Sequence, residues 1–290
     1  MNATWPDLTT KIVEPVHQRA LRMVARIAAT VGVDWFLMGA MARDWVFTHI
    51  HGIDTQRATK DADIGIALKS WEEFEQIRNG LLAEGEFAQD RIPHRLNHCQ
   101  LQGFHIDLVP FGALAGDKAE IAWPPKCYEV MNVIGFDEAF RAALTVIVDT
   151  DLPVKVASPI GLMLLKLFAW EDRKRESAQD KDARDIRLLL THYEVMAGRT
   201  RWDVTGLMEA EDFHDDRAVA RLLGSDVAQI ASPETKAALM TILDRELPGD
   251  EIGLLVQQMT RNGSALTYFE EGAFETMRRL LESFRAGLRD

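Results

Sequence analysis

Cysteine is nearly absent from this 290-residue chain: Cys99 and Cys127 are the two it has. That excludes a disulfide framework or a cysteine zinc site, and makes a reducing cytoplasm the expected setting. No run of 18 apolar residues occurs, so no segment reads as a membrane span. Met1 to Lys11 lacks the charged-then-apolar layout of a secretory leader. Repeats and low-complexity stretches are missing. Positive charge is scarce: 33 Lys and Arg stand against 45 Asp and Glu, a net of -12. Such a chain does not coat nucleic acid non-specifically, because phosphate binding needs local positive charge. It is compatible with a site where carboxylates carry a metal and the metal carries phosphates. With 47% hydrophobic residues there is enough apolar surface for two modest domains.

In the first half, helical periodicity over 11–31 precedes the apolar run Trp35 to Met38, which ends at Gly39. Ala40 to Ile50 reads as helix and His51 to Lys60 as loop. Ala62 to Leu68 reads as strand. Ser70 and Glu73 form a capping-box pattern opening a helix to Glu84. Arg95–Gln100 and Phe104–Val109 flank Gln102-Gly103 as a hairpin. Tyr128–Ile134, Leu144–Val148 and Val154–Ala157 are further strand candidates. Beyond Ser158-Pro159 the texture is helical, with candidates at 159–174, 179–193, 215–223, 233–246, 250–261 and 264–287. The fold class expected is α+β: a mixed-sheet domain over 1–157 and a mostly helical domain over 158–290.

Three features carry chemistry. Asp61-Ala62-Asp63 opens a strand, so both carboxylates share one face while Ala62, Ile64, Ile66 and Leu68 take the other. Two such carboxylates suit a hard divalent cation. Asp107 is a lone acid in the apolar strand Phe104–Val109. It completes a three-carboxylate cluster if the strands are neighbours; the alternative is an ion pair with a base such as Arg95. Gly39 permits a close strand-to-helix turn at Met38-Gly39-Ala40-Met41-Ala42-Arg43, where backbone N–H groups can hold phosphate. In the second half, Lys166 is the one cation in the apolar stretch 160–170. Asp182 and Asp185 fall on the apolar stripe of Ile186, Leu189, Leu190 and Tyr193, where Lys166 or Arg173 would be their partners.

The order glycine turn, Asp-x-Asp, lone Asp resembles the DNA polymerase β nucleotidyltransferase superfamily. The stretches Lys166 to Trp170, Asp172-Arg173, Lys181 to Asp185, Asp107 to Gly112 and Trp123-Pro124-Pro125 resemble the AbiEii/AbiGii-type nucleotidyltransferase toxins. The resemblance implies that Asp61, Asp63 and Asp107 bind Mg²⁺. It places Gly39, Ala40, Arg43, Lys166 and Arg173 around the nucleotide, with Asp182 and Asp185 orienting Lys166 or the acceptor. Ala40 departs from the pattern, having no hydroxyl for a terminal phosphate. Arg43 either reaches a phosphate or forms a surface pair with Asp44. The function implied is Mg²⁺-dependent transfer of a nucleoside monophosphate from an NTP to an acceptor hydroxyl. The setting would be a type IV-like toxin–antitoxin system, with tRNA or protein as acceptor and a cognate antitoxin as partner. The alternatives are an aminoglycoside-type small-molecule transferase and a degenerate nucleotide-binding module. Residues 200–290 resemble nothing further. Scattered histidines are not read as a metal site, Cys99 is read as core, and Glu209 to Asp216 as a solvated acidic run.

Overall fold

The computed structural model describes residues 14–55, 59, 61–124, 130–174, 180–249, 251–262, 265–268 and 272–290. The chain divides into two compact units, Met1–Ser158 and Pro159–Asp290.

The elements of the first unit run α1 (Pro15–Val31), β1 (Trp35–Met38), α2 (Gly39–Asp44), a π-helical turn Trp45–Ile50, β2 (Asp61–Ala67) and α3 (Trp71–Ala83). They continue with β3 (Phe87–Gln89), β4 (Arg95–His98), β5 (His105–Phe111), a 3₁₀ turn Gly112–Ala115, β6 (Glu120–Ala122), β7 (Val130–Asn132), α4 (Phe136–Arg141), β8 (Leu144–Asp149) and β9 (Leu152–Val156). Seven strands form one mixed sheet in the order β3-β4-β5-β2-β1-β9-β8. β2 runs parallel to β5 and antiparallel to β1. β6 and β7 form a separate ribbon.

Alternation along β2 and β5 divides the sheet cleanly. Ala62, Ile64, Ile66, Ile106 and Leu108 are buried on one face. The other face is split along its length. Asp61, Asp63, His105 and Asp107 occupy one end by register. At the other end Phe36 meets the rings of Phe111 and Phe140. Phe36 lies so close to Gly65 that a Cβ there would be 2.3 Å from its ring, which explains the glycine inside the strand.

Ser70 caps α3 by accepting from the Glu73 amide at 3.4 Å, while the Glu73 carboxylate accepts from the Lys69 amide at 2.7 Å. α1 lays its stripe of Ala20, Met23, Val24 and Ile27 inward. A Cβ on Gly80 of α3 would meet the Ile27 side chain at 2.9 Å, so the two helices approach closely there.

The second unit is mostly helical: α5 (Pro159–Arg173), α6 (Lys181–Ala197), a 3₁₀ turn Arg201–Asp203, α7 (Leu207–Ala210), α8 (Asp215–Ile230), α9 (Pro233–Glu246), α10 (Leu254–Met259), β10 (Arg261–Asn262), β11 (Ala265–Tyr268) and α11 (Ala273–Arg289). Its tightest packing joins α8 to α11. A Cβ on Gly224 would lie 2.1 Å from the Phe284 carbonyl oxygen, and one on Gly287 2.0 Å from that of Arg221. Only glycine lets the two backbones come this near. α8 therefore runs about two turns past the expected end at 223, with Gly224 as a contact rather than a stop.

Several sequence expectations are corrected. The helix expected over 264–287 begins at Ala273, and Ala265–Tyr268 forms a strand with Arg261–Asn262. The helix expected over 40–50 changes to π-type at Trp45. Cys99 is exposed rather than core. Within the acidic run, Glu211 is buried, bound by Arg217 at 2.9 Å, Arg221 at 3.3 Å and the Ser283 hydroxyl at 2.8 Å. Residues 11–13 and 128–129 of two expected elements, and Pro125 of the Trp123 motif, lie outside the described residues.

Candidate active site

The site is built where β1 hands over to α2. Gly39 has φ +66°, a conformation that carries a penalty for any side chain. Met38 pairs with Asp63 across the strands, so the turn and the acid sit together. A Cβ on Gly39 would lie 1.8 Å from Asp63 Oδ2. The glycine turn and the second carboxylate thus share one space. Ala40, half-buried, follows in α2.

Asp61 and Asp63 are both half-buried on one face of β2. On β5, His105 pairs with Asp61 and Asp107 with Asp63. On β4, Arg95 pairs with Asp107. Residues that pair in register lie on one face, so the three acids, His105 and Arg95 belong to a single polar surface. Both alternatives drawn for Asp107 therefore meet in one place. It neighbours Asp63, and it also accepts a two-pronged bond from Arg95, Nε to Oδ1 and Nη2 to Oδ2, each 2.7 Å. His105 Nε2 stands 3.8 Å from Asp107 Oδ2 and makes no hydrogen bond among the described residues. Among those residues no group of three ligand-type side chains closes into a metal cage.

The Arg95 guanidinium is held more strongly protonated than usual. The bond to Asp107 is the main cause, burial opposes it, and the charges of Asp107, Asp90 and Asp61 add to it. One arginine thus balances much of the negative charge on this face.

The Arg43–Asp44 pair expected at the surface forms, but with Arg43 buried and Asp44 half-buried. Arg43 is 2% exposed. Its Nε and Nη2 donate to Asp44 Oδ1 at 2.9 and 2.5 Å. Asp44 also accepts from Thr55 at 3.1 Å and Thr59 at 2.5 Å. α2, which opens at Gly39, is thereby tied to the segment that leads into Asp61. Asp44, Arg95 and His105 are the site residues that sequence reasoning did not single out as functional. The signal available was an arginine and a histidine in the strand-patterned stretches either side of the Gln102-Gly103 turn.

In the second unit Lys166 Nζ lies 3.0 Å from Asp182 Oδ1 and 2.7 Å from Asp185 Oδ2. Arg173 reaches Asp182 Oδ2 at 2.6 Å. Burial works against the ammonium, but the charges of Asp185 and Asp182 outweigh it and raise the Lys166 pKa above the ordinary value. The four residues pin α5 to α6. Two cations near this cluster are already paired: Lys174 with Glu171 at 2.6 Å and Arg184 with Asp180 at 2.8 Å. Arg175 lies outside the described residues. Among the described residues no helix is long and apolar enough to cross a membrane.

The glycine turn, the Asp-x-Asp strand and the acid beside it on a mixed sheet define a nucleotidyltransferase. A family model described as "Nucleotidyl transferase AbiEii toxin, Type IV TA system" matches residues 24–252, and the chain belongs to that family. No curated protein matches the chain. Among solved structures, an antigenic nucleotidyltransferase-like protein from Paracoccidioides brasiliensis is 17% identical, with 60% of this chain and 74% of that one covered, at TM-score 0.39. The antibiotic-resistance factor ANT(2'')-Ia is 14% identical, with 70% and 100% covered, at TM-score 0.37. A lincosamide antibiotic adenylyltransferase, LnuA, solved with lincomycin bound, is 16% identical, with 59% and 95% covered, at TM-score 0.37.

Proposed function

We propose that the protein transfers a nucleoside monophosphate from an Mg²⁺-bound NTP to a hydroxyl of an RNA acceptor, tRNA first among candidates, as the toxin of a type IV-like toxin–antitoxin pair. One observation carries the transfer chemistry. The Asp63 carboxylate fills the space under the Gly39 turn, with Asp61 two residues away and Asp107 in register beside it. A phosphate-binding turn and a pair of hard oxygen ligands at one point are what an NTP with its cation needs.

The donor set fits the ion: Asp61 and Asp63 would hold it, and Asp107 is the third acid, on the acceptor side. Bound there, Mg²⁺ would neutralise the triphosphate and lower the pKa of the attacking hydroxyl. The chain's own residues do the positioning. Gly39 and Ala40 line the triphosphate with backbone alone, since Ala40 offers no hydroxyl. Asp44 fixes the turn against the strand. Within the second unit, Asp182 and Asp185 hold the Lys166 ammonium in place, and Arg173 holds Asp182. The acceptor oxygen attacks the α-phosphorus, and pyrophosphate leaves. The family description supports the toxin role.

A second reading has its own support: the net charge of -12, with Lys174 and Arg184 already paired, favours a small cationic acceptor over RNA. One experiment separates the readings. The protein is incubated with Mg²⁺ and each α-labelled NTP, with total tRNA, protein lysate or an aminoglycoside. Label on tRNA, lost in both Asp61→Asn and Asp63→Asn while circular dichroism is unchanged, is the expected result. The loss should exceed about a thousandfold, as for removal of charge stabilisation at a reacting phosphate. Label on the aminoglycoside instead assigns the second reading. Transfer that survives Asp61→Asn removes the mechanism.

A further inference from the structure

Asp107 is engaged through both of its carboxylate oxygens. Arg95 takes both of its oxygens at 2.7 Å in the fork-to-fork geometry that makes arginine–carboxylate pairs strong. The pair is poorly hydrated, with side-chain exposures of 29% for Arg95 and 11% for Asp107. Around it the charges are one-sided: Asp61 and Asp90 both act on Arg95, and His105 makes no hydrogen bond from Nε2 among the described residues. A carboxylate that gives both oxygens to a guanidinium keeps only its outward lone pairs for anything else. Arg95 and a divalent cation therefore want the same charge.

We infer that Arg95 is a positioning residue that acts as the built-in counter-ion of the carboxylate face and competes with the divalent cation for Asp107. This rests on the nucleotidyltransferase reading of Asp61 and Asp63. Arg95 lets the three acids lie side by side at little cost in repulsion. It also weakens the site toward a bare cation, so that the ion is held well only when it arrives with the phosphates of an NTP. A purely structural pair would have no such effect on the ion.

The test measures Mn²⁺ binding, as the probe for Mg²⁺, by electron paramagnetic resonance on the full chain without nucleotide. Wild type, Arg95→Gln, Arg95→Lys, Asp61→Asn and Asp63→Asn are compared, each checked for fold by circular dichroism. Arg95→Gln should bind Mn²⁺ about tenfold more tightly than wild type, the loss of one competing charge. Arg95→Lys, which keeps the charge without the fork, should fall between them. Melting in EDTA and in Mn²⁺ supplies the second readout. The Arg95→Gln deficit should be large in EDTA and shrink once Mn²⁺ replaces the lost charge. Equal or weaker Mn²⁺ affinity in Arg95→Gln, or equal deficits in both media, overturns the inference and leaves the active-site reading standing. Mn²⁺ binding that is indifferent to Asp61→Asn and Asp63→Asn overturns both. A lack of binding in wild type and Arg95→Gln alike overturns the inference alone.

Discussion

Lys166→Met tests whether the α5–α6 cluster is held by charge or by packing. Methionine keeps most of the lysine stem, so the substitution removes the ammonium with little cavity. What remains is Asp182 at 3% exposure, still bound by Arg173 at 2.6 Å, and Asp185 at 2% exposure without its ammonium at 2.7 Å. Breaking a buried ion pair from one side costs roughly 3–5 kcal/mol, mostly the desolvation of the charge left behind. The lower end applies here, because Arg173 continues to serve Asp182. The expected loss is about 3 kcal/mol, a drop in Tm of roughly 10 °C for a unit of this size. Urea melts followed by circular dichroism read it. The pH dependence gives the sign. In wild type the Lys166 pKa is raised, so its contribution is complete below the ordinary lysine value of about 10.4 and is lost only as pH rises past it. Wild-type stability should therefore show no contribution from this lysine's titration between pH 6 and 9. In Lys166→Met the deficit should shrink as pH falls toward the carboxylate range, because protonation neutralises Asp185. The double variant Lys166→Met/Asp185→Asn should recover most of the loss. A deficit below about 1 kcal/mol that ignores pH, with no recovery in the double variant, would refute the account.

Two further substitutions probe the first unit. Gly39→Ala forces a side chain into φ +66° and puts its Cβ 1.8 Å from Asp63 Oδ2. Transfer should fall about a hundredfold or more through displacement of Asp63, for a stability loss of only about 1–2 kcal/mol; activity within a few-fold of wild type would count against the shared turn. Asp44→Asn removes the charge that Arg43, Thr55 and Thr59 all meet. About 2–4 kcal/mol should be lost, with faster amide exchange at the first residues of β2. Unchanged exchange there would show that Asp44 does not fix the strand.

Much of the site was legible because alternation and helical spacing are strict. Asp61 and Asp63 share a face because residues two apart in a strand must. The pairing of Lys166 with Asp182 and Asp185 follows from opposite charges placed on apolar stripes. The failures are of one kind: they depend on which segments come together. The Arg95–Asp107 pair is one of the two alternatives the sequence offers for Asp107, and the turn decides it: a two-residue turn at Gln102-Gly103 would set Arg95 opposite Pro110, while the longer turn found sets it opposite Asp107. Glu211 reads as one more solvated acid until α8 and α11 deliver Arg217, Arg221 and Ser283 to it. Arg43 and Asp44 look like neighbours at a surface because nothing local announces that Thr55 and Thr59 will fold back over them. Ala265–Tyr268 reads as the start of the last helix, and its partner strand at Arg261–Asn262 is too short to show a period.

The glycine crossing of α8 and α11 has a kinetic consequence. Helical bundles usually fold fast because their contacts are close in sequence. Here the tightest seam joins Gly224 to Phe284 and Gly287 to Arg221, so the loop it closes is some sixty residues long. Until that loop closes, the apolar edge of α8 has no cover, and neither glycine can nucleate its own helix well. The second unit should fold with the slowness of a β-sheet protein, its rate set by one distant encounter rather than by any helix within it.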